Sequence, residues 1–226
     1  MSDRPDTPRS AGAPGSSAGA ADGPAVPTGN TYDKYATTNP IEQRMMRGFF
    51  EALDRFLDRA ATEPPARILE IGVGEGIVSS RMAQRFPDAA VTGLDLPDED
   101  LSAEWRARDL DCLFGDATNL PFADDTFDLV VAVEVFEHLP EPPAALDELA
   151  RVCSGHLLAS VPFEPIWRIG NMARGRYLRD LGNTPGHVNH WTSRGFRTLV
   201  SSRFDVVDTA NPMPWTMVLA RQPPIA

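Results

Sequence analysis

Short strand-like runs at residues 67–72, 89–96, 111–117, 127–134 and 156–161, most of them separated by helical stretches, constrain this chain more than any other feature. A run such as Leu129-Val130-Val131-Ala132-Val133 is apolar on both faces, as a strand of a parallel sheet covered by helices on each side must be. The spacing predicts helices over 75–86 and 98–108, and a third opened by Pro142-Pro143 with Leu146, Leu149, Ala150 and Cys153 on one side. Strand and helix alternating in this way require crossover connections and a doubly wound α/β sheet in one domain. The ending differs. After a helix at 192–202, strands at 204–209 and 215–221 are joined by only Asn211-Pro212-Met213-Pro214, so the last strand is expected to run antiparallel.

The start of the chain reads otherwise. Residues 1–29 contain 5 Gly, 5 Pro, 6 Ala and 4 Ser, and only Met1 and Val26 are large and apolar. Such a segment cannot offset the entropy of ordering its backbone, and a disordered tail is expected. Asn39-Pro40-Ile41-Glu42 is a helix start, with Asn as cap and Pro in the first turn. Met45, Met46, Phe49, Phe50, Leu53, Phe56, Leu57 and Ala60 then repeat at helical spacing until Pro64-Pro65. The organisation expected is a tail (1–29), a segment with a helix covering the site (30–65) and a core (66–226) interrupted by a lid at 163–191.

Among 226 residues the formal charge is −11, which argues against nucleic acid as a partner, since phosphates demand a cationic face. No run approaches the roughly 18 apolar residues of a membrane span, and no secretory signal is visible. Two cysteines in apolar surroundings, Cys112 and Cys153, suit buried thiols of a cytoplasmic protein. No motif fixes an oligomeric state, and a homodimer is compatible with the sequence.

Glu70-Ile71-Gly72-Val73-Gly74-Glu75-Gly76 falls where the first strand meets the first crossover helix. Glycines there allow a sharp turn and the close approach of a ligand to the backbone. A dinucleotide-binding turn wants G-x-G-x-x-G, and Ile77 stands where the third Gly belongs. The extra carboxylate of Glu75 would repel a pyrophosphate but tolerates a cationic ligand. Asp95, at the end of the second strand, is placed to take both hydroxyls of a ribose. Asp116 with the N–H of Ala117 offers the acceptor and donor that an adenine edge requires, and Leu120-Pro121-Phe122 can cover its face.

These motifs, with residues 120–128 and 134–139, resemble the class I S-adenosylmethionine-dependent methyltransferases, and most of all the group containing the ubiquinone-biosynthesis methyltransferases. The resemblance covers about residues 66–162. It implies a Rossmann-like seven-stranded sheet with an antiparallel last strand, and S-adenosyl-L-methionine as cofactor. It further implies that Gly72, Gly74 and Gly76 pass under the methionine part and that Asp95, with Leu96 beside it, holds the ribose. Asp116 and Ala117 would read adenine, the backbone at Val133 and Glu134 would meet the amino-acid end, and Glu70 would orient the loop and the ammonium. In similar enzymes a segment such as Tyr32–Tyr35 folds over the cofactor, where Tyr32 or Tyr35 could face the sulfonium.

Methyl transfer from a sulfonium is an in-line displacement, so alignment is the main demand, and a base is needed only for an acceptor that must lose a proton. Three histidines are candidates: His138 after the fourth strand, and His187 and His190 in a loop expected at the same sheet edge. Two histidines without a third ligand do not define a metal site, and none is assigned. Residues 163–203 carry seven arginines against Glu164 and Asp180, in a chain with 21 Lys and Arg in all. With Ile166, Ile169, Ala173 and Tyr177 on one helical face, this stretch reads as a lid over a small-molecule acceptor that is anionic or partly apolar. The competing readings are a nucleotide-dependent oxidoreductase and a non-catalytic module that binds the cofactor or a protein partner.

Overall fold

The computed structural model describes residues 38–61, 63–173, 175, 180–184 and 186–224. Residues 1–37, with the expected tail and Tyr32 and Tyr35, lie outside that set, as do Arg174, Arg176, Tyr177 and Arg179. Helix α1 (Pro40–Ala60) starts at the expected cap, with the Asn39 side chain accepting from the Ile41 N–H at 2.9 Å. Then follow β1 (Arg67–Ile71), α2 (Ile77–Arg85), β2 (Ala90–Asp95), α3 (Glu99–Ala107), β3 (Asp111–Phe114) and β4 (Phe127–Val133). The chain continues through α4 (Pro142–Val152), β5 (Cys153–Pro162), α5 (Glu164–Ala173), α6 (Ser193–Val200), β6 (Asp205–Ala210) and β7 (Trp215–Arg221).

The seven strands form one sheet in the order β3-β2-β1-β4-β5-β7-β6. All neighbours from β3 to β5 pair in parallel, and β7 is antiparallel to both β5 and β6, as the short link before it demands. Strand order reverses between β1 and β4, so their carboxyl ends open the crevice where a sheet of this kind takes its ligand.

Each face has its own core, and side-chain alternation sorts the strands between them. Ile68, Leu129, Val131, Val133, Leu158 and Leu219 pack with α1 and α2 through Phe49, Leu53, Phe56, Leu57, Val78 and Met82. Leu69, Ile71, Val130, Ala132, Leu157 and Val218 pack on the other face with Leu146, Leu149, Phe196 and Val200. Glu70 shares the parity of Ile68, so its side chain points into the layer covered by α2.

Two expectations are corrected. Cys153 belongs to β5, not to the face of α4: the helix ends at Val152 and the strand begins three residues before His156. The third strand stops at Phe114 because Asp116 turns the chain, its Oδ1 accepting from both the N–H and the hydroxyl of Thr118 at 2.8 Å. Helix α5 leaves Ile169 61% exposed, while Glu164 and Asn171 are buried. That polar stripe holds the returning chain. Asn171 Nδ2 donates to the Gly182 carbonyl at 2.9 Å, and the Trp167 indole N–H donates to Thr184 Oγ1 at 2.8 Å.

Candidate functional site

The glycine loop leaves β1 with three left-handed residues, Gly72 (φ +70°), Gly74 (φ +51°) and Gly76 (φ +81°). A Cβ on Gly72 would overlap the Val135 side chain, whereas one on Gly74 would meet no protein atom within 4 Å. Gly74 therefore borders open space, and its backbone is exposed to whatever fills that space. Two side chains fix it. Asp95 Oδ2 accepts from the Gly74 N–H at 2.7 Å, and the Trp105 indole N–H donates to the Gly74 carbonyl at 2.7 Å. Trp105 is buried with Val73 and Leu101, and sequence reasoning missed its part because it looks like an ordinary apolar position of α3.

The second oxygen of Asp95 accepts from the Leu96 N–H at 2.7 Å. A carboxylate has about four acceptor sites, so two remain for hydroxyl donors. Burial, the larger effect, holds its pKa above the ordinary carboxylate value against those two N–H bonds. Leu96 is partly exposed beside it, and Ala117 is buried beyond the end of β3. The wall continuing from Asp116 is held by Arg151, which donates to the carbonyls of Phe122 (2.7 Å) and Leu120 (3.1 Å) and to the carboxylates of Asp124 and Glu148.

Glu70 is buried at the floor, where the Ser79 hydroxyl of α2 donates to its Oε2. Burial, helped by the nearby charge of Asp95 and opposed by the Ser79 bond, pushes its pKa up to about 8. Between the ordinary value of 4.5 and about 8 the folded chain therefore keeps a proton that the unfolded chain releases. The contribution of Glu70 to stability is full below pH 4.5 and is lost as pH rises through about 8. Thermal unfolding of the cofactor-free protein should show that decline, and Glu70→Gln should flatten it. An identical pH slope in the variant would contradict the assignment.

Across the crevice, β4 ends at Val133, and Glu134 takes a left-handed conformation (φ +60°) with its N–H donating to the Ser160 carbonyl at 3.0 Å. A non-glycine residue held there costs roughly 1–3 kcal/mol and marks a constrained turn. The loop at 186–191 is fastened to the turn that follows. The N–H groups of Val188 and Asn189 donate to the Glu137 carbonyl at 2.9 and 3.0 Å. Asn189 Nδ2 donates to the carbonyls of Phe136 and Leu139, at 3.1 and 2.6 Å. These bonds bring His138 and His187 together, with ring centroids 4.9 Å apart and edge to face. His187 Nδ1 lies 2.8 Å from Glu164 Oε1, with both groups buried. His190, the third candidate, lies apart: it is exposed, with Nε2 3.0 Å from Asn183 Oδ1.

Among the described residues of 163–203, Arg168 and Arg203 each have a partner of their own. Arg168 donates to the Leu181 carbonyl at 3.0 Å, and Arg203 pairs with Asp147 at 2.5 Å. Both cysteines are free, and burial pushes each thiol up to about 12. No helix among the described residues is long and apolar enough to cross a membrane.

Residues 69–156 match the profile of a family described as a methyltransferase domain. The malonyl acyl-carrier-protein O-methyltransferase of Geobacter sulfurreducens is 35% identical over 126 residues, 54% of this chain and 44% of that protein. The fatty-acid O-methyltransferase of Mycolicibacterium smegmatis is 39% identical over 89 residues, 38% of this chain and 32% of that protein. The chain thus spans less than half the length of either relative. The fold resembles that of magnesium protoporphyrin IX methyltransferase from Synechocystis, solved with bound SAH, at a TM-score of 0.61 and 17% identity, covering 83% of this chain and 89% of that one. Residues 69–156 therefore carry a methyltransferase domain, and the seven-stranded sheet around them has the fold of a solved methyltransferase.

Proposed function

We propose that this chain transfers the methyl group of S-adenosylmethionine to a small organic acceptor held between the glycine loop and a lid at 163–191. The observation that carries the reading is the junction of Gly74 and Asp95: open space beside a glycine, and a carboxylate already oriented by two backbone donors. Asp95 takes the ribose hydroxyls on its remaining acceptor sites, with Leu96 alongside. Asp116 Oδ2 and the Ala117 N–H take the adenine edge, because the turn uses Oδ1 of Asp116. Glu70 and the backbone at Gly72, Gly76, Val133 and Glu134 serve the methionine end. Glu70 is suited to a cationic ligand because an ammonium nearby favours its charged form.

The reaction needs little of the protein beyond alignment. S-adenosylmethionine, when bound, would supply an electrophilic methyl carbon whose sulfur leaves as a neutral thioether, and the residues above would hold it in line with the acceptor's lone pair. Such positioning is worth roughly 7–11 kcal/mol.

The acceptor joins an anionic group to an apolar body. The lid exposes Ile169, Met172, Leu181 and Val188, which suit an apolar body. Two relatives carry names that specify O-methylation of fatty acids and of a malonyl thioester. S-adenosylhomocysteine release should be measured with medium-chain fatty acids and with their neutral amides. Release with the acids and little with the amides is the expected result; equal release from both would refute the anionic acceptor.

A further inference from the structure

We propose that Glu137, His138 and His187 form a binding site for a first-row divalent metal ion such as zinc. One carboxylate oxygen and one ring nitrogen from each histidine lie within 4.8 Å of one another, and His138 Nε2 is 4.0 Å from Glu137 Oε1. Ligands about 2.0–2.1 Å from a tetrahedral ion stand roughly 3.3 Å apart, so closure on a metal requires a side-chain shift of about 1 Å.

Hydrogen bonding assigns the ring nitrogens. The Gly186 carbonyl can only accept, so His138 Nδ1, 3.0 Å away, must carry the proton. His187 Nδ1 donates to the Glu164 carboxylate at 2.8 Å. With Nδ1 as the donor in both rings, Nε2 is the nitrogen left to face a metal. A metal-binding histidine characteristically gives its other N–H to a carboxylate or a backbone carbonyl, which fixes the tautomer and the ring. One histidine of this pair has each kind of partner.

Charge points the same way. Glu137 is 1% exposed and Glu164 3% exposed, so two carboxyl groups are removed from water beside the two rings. Glu164 Oε2 has no hydrogen-bond partner among the described residues. Buried carboxylates demand a compensating charge, and one divalent ion supplies it. Imidazole donors favour zinc, cobalt or nickel over magnesium, which prefers an all-oxygen shell.

Three protein ligands leave at least one coordination position open. On the acceptor reading above, that position takes the acceptor's oxygen and holds it against the methyl group, the grip that Arg168 and Arg203 do not provide. The metal site itself is independent of that reading.

The test uses the full chain stripped with chelator and titrated with Co²⁺ and Zn²⁺, followed by metal analysis and visible spectroscopy. We expect about one ion per chain, visible ligand-field absorption with Co²⁺, and displacement of Co²⁺ by Zn²⁺. His138→Gln and His187→Gln should each weaken metal binding by about 10- to 1,000-fold, and Glu164→Gln by about 10- to 100-fold, as a partner behind a ligand does. Each variant's binding of S-adenosylhomocysteine is measured alongside, so that a misfolded variant is recognised and Glu137→Gln can replace it. Absence of stoichiometric binding by the wild type, or unchanged affinity in the folded variants, overturns the site. Loss of S-adenosylhomocysteine binding by the wild type would instead refute the cofactor reading.

Discussion

Asp95→Ala should weaken binding of S-adenosylhomocysteine by at least about 100-fold, the loss of two charge-assisted hydrogen bonds at roughly 1.5–3 kcal/mol each. The substitution removes more than a contact. Asp95 is the acceptor for the Gly74 and Leu96 N–H groups, both at 2.7 Å, so its loss also frees the loop that must lie under the ligand. Asp95→Asn keeps one acceptor oxygen and should fall between wild type and Ala. Isothermal titration of the three proteins checks the order. Equal affinity in wild type and Asp95→Ala would remove the ribose role.

Gly72→Ala should lower the melting temperature by about 5–15 °C, from a left-handed residue at roughly 1–2 kcal/mol and an overpacked contact at roughly 1–3 kcal/mol. The overlap is with Val135, so adding Val135→Ala should recover part of the loss. Gly74→Ala provides the contrast. Its Cβ meets no protein atom, so the stability change is smaller, while the methyl group enters the space assigned to the cofactor and weakens its binding. Similar melting temperatures for Gly72→Ala and Gly74→Ala would show that the loop is not braced against Val135. Scanning calorimetry decides between them.

The sheet was legible because burial on both faces writes itself into composition: a parallel strand such as β4 has no polar face to confuse with a helix. The antiparallel end followed from the four-residue link between β6 and β7, too short for a crossover. Element ends were less legible. The helical spacing of Leu146 and Leu149 runs on to Cys153, but the chain turns extended there and Cys153 pairs with Phe127. Local periodicity cannot see a strand already waiting alongside.

Site legibility followed the same division. Glu70, the glycines and Asp95 lie at strand ends that the pattern locates, so their convergence follows from the parallel sheet. Trp105 escaped notice because its indole N–H reaches the Gly74 carbonyl only after α3 packs against the loop. Glu137 and His187 are 50 residues apart in number, and only the carbonyl and amide bonds between 136–139 and 186–191 bring them together. The arginine excess of 163–203 was legible only as a count. Charge can be counted in sequence, but its local use cannot: Arg168 donates to the Leu181 carbonyl and Arg203 pairs with Asp147.

The most direct measurement is a calorimetric titration of the purified chain with S-adenosylhomocysteine and, separately, with S-adenosylmethionine. The account predicts a saturable heat for one nucleoside per chain, with the affinity lowered by at least about 100-fold in Asp95→Ala. No heat with either nucleoside would contradict it.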